Sequence, residues 1–82
     1  MKHKIVVNAR WDINKMTYEE GYRRLKLLIK DNNFSDSGFC LIDEIAEITY
    51  IYNSDKQANQ TMRLLKSIDW IGSVKISIQT KN

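Results

Sequence analysis

Two stretches of helical periodicity, each bracketed by stretches that alternate every second residue, restrict this chain to very few topologies. Apolar residues that return every third or fourth position make one stripe on a helix. Strict alternation makes one face of a half-buried strand. From Lys4 to Trp11, Ile5, Val7, Ala9 and Trp11 alternate with Lys4, Val6, Asn8 and Arg10, which predicts a strand. Asp12 to Met16 reads as a loop. Thr17 then offers a helix N-cap with Glu20 three residues on, the spacing of a capping box. Tyr18, Tyr22, Leu25, Leu28 and Ile29 follow on one stripe, with Glu19 and Glu20 at the start and Lys26 and Lys30 near the end, as the helix dipole favours. The helix is placed at 17–31, with Asn32 and Asn33 as terminators.

Phe34 to Gly38 reads as a polar loop. The β pattern returns at Phe39, breaks at Asp43-Glu44, and runs on from Ile45 to Tyr52. The break is either a tight hairpin or a bulge in one long strand. Ile48, Tyr50 and Tyr52 share one face, and Glu47, Thr49 and Ile51 the other. Ser54, with Gln57, caps a second helix whose stripe is Ala58, Met62, Leu65 and Ile68, with Thr61 and Leu64 beside it, ending near Ser67. Asp69 to Gly72 is a turn, and Ser73 to Thr80 a last strand.

The order is therefore β-α-β-β-α-β. With right-handed crossovers, the expected fold class is α+β: a ferredoxin-like sandwich with a four-stranded antiparallel sheet and both helices on one face. Eighty-two residues without proline and with three isolated glycines show no linker or repeat, so 1–82 is read as a single domain. A chain of this length buries only about 60–65% of the surface its unfolded form exposes, which leaves little apolar surface for a deep cleft.

The residues that carry chemistry are sparse. His3 is the only histidine and sits at the chain start, where no nucleophile is held against it. Cys40, the only cysteine, lies between Phe39 and Leu41 and reads as a small core residue. One cysteine excludes an intrachain disulfide. Together with the absence of a signal-peptide pattern and of any apolar run near 20 residues, it points to a cytoplasmic protein. Asp43, Glu44 and Glu47 match no metal-loop spacing and read as a charged turn. Gly21, Gly38 and Gly72 make no phosphate loop. These readings give no catalytic residue, no metal and no cofactor.

The basic residues are more suggestive, against a net charge of +3. The first helix carries Arg23, Arg24, Lys26 and Lys30, and the strands add Arg10 and Lys75. If Ile5, Val7, Val74, Ile76 and Ile78 face the helices, then Lys4, Asn8, Arg10, Thr49, Lys75, Ser77 and Gln79 share the open sheet face as a polar, basic platform of the kind that holds phosphates. Tyr50 and Tyr52 stand where an RNA-recognition motif would place stacking aromatics, but their alternation with Ile48 reads as packing. Trp11 and Trp70 suit either a core or an interface anchor.

A very short, proline-free chain, rich in Lys, Ile and Asn and without a catalytic motif, resembles the small early and accessory proteins of T-even-type bacteriophages. The resemblance is one of overall character and carries over no residue roles. It implies an inhibitor of a host factor, such as a toxin endoribonuclease, with RNA in some complexes. The sequence thus points to a non-enzymatic regulatory protein that binds a protein partner, RNA or both through Arg10, Arg23, Arg24, Lys26, Lys30 and Lys75. The alternative is an ACT-like ligand-sensing or dimerisation module, and exposed edge strands leave room for a homodimer.

Overall fold

A computed structural model describes residues 3–30 and 34–80. It contains six elements: β1 (His3–Asp12), α1 (Tyr18–Ile29), β2 (Asp36–Ile42), β3 (Ile45–Tyr52), α2 (Asp55–Lys66) and β4 (Ser73–Thr80). The strands form one antiparallel sheet in the order β2-β3-β1-β4. This is the expected β-α-β-β-α-β arrangement. β1 and β3 are central, as right-handed crossovers in this element order place them. Ile5, Val7, Ala9 and Trp11 from β1 meet Ala46, Ile48, Tyr50 and Tyr52 from β3 in one core, closed by Leu25 and Ile29 of α1 and Ala58 and Leu65 of α2. Burial of this apolar surface, at about 25 cal/mol per Å², drives the association of helices and sheet.

Each helix begins where its cap residue directs. The Glu20 N–H donates to Thr17 Oγ1 at 3.3 Å, and the Gln57 N–H to Ser54 Oγ at 3.5 Å. The Glu20 carboxylate does not turn back to complete a capping box. It is taken by Arg23 and Arg24. α1 ends with Lys30 as its C-cap, and Asn32 and Asn33 lie outside the described residues.

The inward line of α1 is Gly21, Leu25 and Ile29, whereas Tyr18, Tyr22 and Leu28 of the predicted stripe stay largely exposed. Gly21 holds this place because the Trp11 indole packs onto it: a Cβ there would lie 2.5 Å from Trp11 Cζ2. The same indole donates from Nε1 to the Met16 carbonyl at 3.0 Å and meets the Trp70 ring edge-on at 5.2 Å. Both tryptophans thus belong to the packing of the core. On α2, Ala58, Thr61 and Leu65 are buried and Met62 packs against the core, as does Ile68 just beyond the helix. Buried Thr61 shares a hydrogen bond with the Tyr52 hydroxyl.

Two further expectations are corrected. β2 starts at Asp36, so Asp36, Ser37 and Gly38 pair with Ile51, Tyr50 and Thr49 instead of forming a loop. Pairing with β3 overrides the weak strand preference of an Asp-Ser-Gly segment. Cys40 is exposed and not a core residue. It pairs with Glu47, and so faces the open side of the sheet with Glu47 and Arg10. The Asp43-Glu44 break is a hairpin turn closed by the Ile42–Ile45 pair, with Asp43 at φ 57° in the left-handed region that Asp tolerates better than most residues.

Candidate functional site

The basic residues singled out in the sequence fall on three separate surfaces. Arg10 and Lys75 stand on the open sheet face. There Asn8 lies between Thr49 and Lys75, and its Nδ2 donates to Thr49 Oγ1 at 3.1 Å. Arg10 forms an ion pair with Glu47, directly opposite on β3. That pairing, with Asp36 on the same face, reduces the positive platform to Lys4 and Lys75. Arg23 and Arg24 project from α1 into solvent and share Glu20, with Arg24 Nε 3.2 Å from Glu20 Oε1. The hydrogen bond from Arg23, and then that from Arg24, holds the Glu20 carboxyl below the usual carboxylate value. Glu20 in turn raises the Arg23 guanidinium.

Lys26 and Lys30 occupy a different place. Tyr18, Tyr22, Lys26 and Lys30 succeed one another at four-residue spacing, so they form a single row along α1. This row faces edge strand β2. Between them runs a groove, lined at one end by Tyr18, Glu19, Tyr22 and Phe39. Phe39 stacks on Tyr18 at 6.1 Å and meets Tyr22 edge-on at 5.2 Å. The other end deepens into a cavity of about 260 Å³ lined by Tyr22, Lys26, Lys30, Phe34, Ser37, Ile48 and Tyr50. Neither lysine has an ion pair among the described residues.

Tyr50 in the cavity wall is only 3% exposed, and its hydroxyl has no hydrogen-bond partner among the described residues. Burial, reinforced by the nearby Tyr52 and Tyr22 hydroxyls, raises the Tyr50 phenol well above its ordinary value. At neutral pH it is a neutral hydroxyl able to donate. The Phe34 ring packs 5.2 Å from it.

The groove exists because two helices do not span four strands. β2 lies beyond α1, so Phe39 and Leu41, which point to the helix side, remain 38% and 41% exposed, and Tyr18 and Tyr22 across from them 39% and 40%. At the opposite edge Ile76 and Ile78 also face the helix side but remain exposed. Sequence reasoning assigned Tyr18 and Tyr22 to the buried stripe and did not single out Phe39, Phe34, Ser37 or Leu41 as surface features. The one available signal was the four-residue row from Tyr18 to Lys30. The acidic residues Asp43 and Glu44 form the β2–β3 turn, where Glu44 Oε2 accepts from Asn14 Nδ2 at 3.1 Å. Among the described residues no group of three or more His, Cys, Asp or Glu is placed to hold a metal ion, and no helix is long and apolar enough to cross a membrane.

The structured domain of Drosophila melanogaster Boca is similar in fold, with a TM-score of 0.64 over 96% of this chain and 99% of that one, at 12% identity. At that identity the likeness concerns the fold alone. No protein-family model matches the sequence, and no curated protein does.

Proposed function

We propose that this domain is a non-enzymatic binding protein that regulates a protein partner by docking it in the groove between α1 and β2. The observation that carries the reading is the half-exposed aromatic and aliphatic surface of Tyr18, Tyr22, Phe39 and Leu41 beside an edge strand that pairs on one side only. Contiguous apolar surface on a small domain marks interaction sites. An open strand edge offers main-chain hydrogen bonds to an added strand, with flanking pockets for its side chains. Lys26 and Lys30 at one end favour a segment in which apolar residues are followed by acidic ones. In the phage setting that the overall character of the chain resembles, the partner is a host factor such as a toxin nuclease, and the domain acts as its inhibitor.

The test is affinity capture from host lysate with the wild-type domain, with the Tyr18→Ser/Phe39→Ser variant and with the Arg23→Glu/Arg24→Glu variant, each with and without RNase. The reading expects a captured protein that survives RNase and is lost from the groove variant. Capture that is abolished by RNase, or that depends on Arg23 and Arg24 but not on the groove, makes RNA and the solvent-facing side of α1 the relevant surface instead.

A further inference from the structure

The sheet edge opposite the docking groove is β4. It pairs with β1 over eight consecutive residues in unbroken register, from Ser73 with Arg10 to Thr80 with His3. Its outer side leaves a row of backbone N–H and C=O groups unpaired within the sheet. Native edge strands are blunted by proline, a bulge, short length or a charge pointing to the covered side. β4 carries none of these. Its helix-side residues are Val74, Ile76 and Ile78, and its one charge, Lys75, stands on the open face. Ile78 is 64% exposed. A shallow groove joins Ile76 and Ile78 to Asp55 and Asn59 of α2. Asp55, Asn59, Met62 and Lys66 follow at four- and three-residue spacing, so one row of α2 flanks the strand. That row opens on an acid and closes on a base, and neither has an ion pair among the described residues.

We infer that β4 is a self-association edge: a second copy of this chain pairs with it antiparallel about a two-fold axis at Ile76, joining the two four-stranded sheets into one. The sequence of β4 fits its own reverse in this register. Val74 lies opposite the second copy's Ile78, Ile76 opposite its own counterpart, and Lys75 opposite the second copy's Ser77. Apolar residues meet apolar residues on the helix side, and no like charges stand directly opposite each other. α2 runs antiparallel to β4, as a crossover from β3 to the parallel β4 requires. The axis therefore sets the two α2 helices antiparallel beside each other, with Asp55 of each toward Lys66 of the other. The edge is complementary to itself in apolar pattern and in charge, which favours a second copy over an unrelated strand. Two-fold pairing also closes the β4 edge of both copies, whereas pairing β4 with β2 of another copy leaves a free edge that propagates. The grooves between α1 and β2 stay open at the two far ends of the joined sheet, so the dimer presents two docking sites to a partner.

Sedimentation velocity of the purified chain, from micromolar to millimolar order, tests this without any partner, so its outcome is separate from that of lysate capture. A monomer–dimer equilibrium that stops at the dimer is expected. Ile78→Lys places a charge on the exposed edge and weakens dimerisation at least roughly tenfold, with the circular dichroism of the monomer unchanged. Tyr18→Ser/Phe39→Ser, at the opposite edge, leaves the dimer intact. Asp55→Lys and Lys66→Asp each set like charges across the axis and weaken dimerisation roughly threefold to tenfold, and Asp55→Lys/Lys66→Asp restores it. These exposed positions keep the test decisive if Ile78→Lys perturbs the fold. The restoration also separates the interface from helix stability, because the double variant opposes the α2 dipole at both ends and would be the worst of the three if only the helix were affected. A chain that stays monomeric at millimolar order overturns the proposal. So do a dimer indifferent to Ile78→Lys, association lost in Tyr18→Ser/Phe39→Ser, growth beyond the dimer, or charge reversals that fail to restore each other.

Discussion

Gly21 lies against the indole of Trp11 so closely that a Cβ on it would fall 2.5 Å from Cζ2 and 2.9 Å from Cε2. Glycine in a helix interior costs about 1 kcal/mol relative to alanine. Here that cost lets α1 approach the end of β1 closely enough to cover a tryptophan. Gly21→Ala is expected to regain the helix preference and lose more through overpacking, typically about 1–3 kcal/mol. Urea denaturation should therefore show a net loss. Trp11→Phe in the same chain makes room, so the double variant should lose less than the sum of the two single changes. Strict additivity would mean that the two residues do not press on each other.

Tyr50→Phe tests the buried hydroxyl by itself. At neutral pH the change removes a polar atom that has no partner among the described residues, so stability should be unchanged or rise by up to about 2 kcal/mol. At alkaline pH the linkage has a definite sign. The folded protein holds the Tyr50 proton to higher pH than the unfolded chain, whose phenols ionise near 10. The stability due to this site is therefore fully present below about pH 10 and is lost as pH rises from there toward the folded value. Melting temperatures between pH 8 and 11.5, a window set around the free phenol value of about 10, should fall more steeply for the wild type than for Tyr50→Phe. Parallel curves would contradict the placement of Tyr50.

Thr61 faces the Tyr52 hydroxyl within the core, where the bond links α2 to β3. Thr61→Val keeps the shape and removes the hydroxyl. A loss of about 1–2 kcal/mol in chemical denaturation is expected, with the sheet intact by circular dichroism. An effect below about 0.5 kcal/mol, the size of an ordinary surface substitution, would show that the bond contributes little.

Cys40 provides a direct test of which way β2 faces. An exposed thiol on the open sheet side should react with a disulfide reagent in the native state, at close to the rate found in denaturant. Protection by several orders of magnitude until the chain unfolds would return Cys40 to the core.

Much of this architecture was legible before folding, and for a physical reason. Alternation in Lys4–Trp11 and Ile45–Tyr52, and the caps at Thr17 and Ser54, are local properties that act within a few residues of the chain. They located the elements and, through the handedness of crossovers, their order. The alternation of Ile48, Tyr50 and Tyr52 with polar Glu47 and Thr49 favoured packing for the two tyrosines without fixing their face, and the structure buries all three.

What the sequence could not decide depends on how far each element lies from the middle of the sheet. Phe39-Cys40-Leu41 has a core composition, yet β2 is an edge strand that α1 covers only in part, so Phe39 and Leu41 line a groove, while Cys40 points to the open side of the sheet. Tyr18 and Tyr22 carry the periodicity of a buried stripe, yet the helix rolls onto Gly21 to cover Trp11, which turns the tyrosines toward β2. The basic residues likewise were one group in the sequence and are three in space: Arg10 is neutralised across the sheet by Glu47, Arg23 and Arg24 share Glu20, and Lys26 and Lys30 remain at a cavity. Periodicity determines which residues point inward from their own element. Only the packing of elements upon one another determines whether anything is there to cover them.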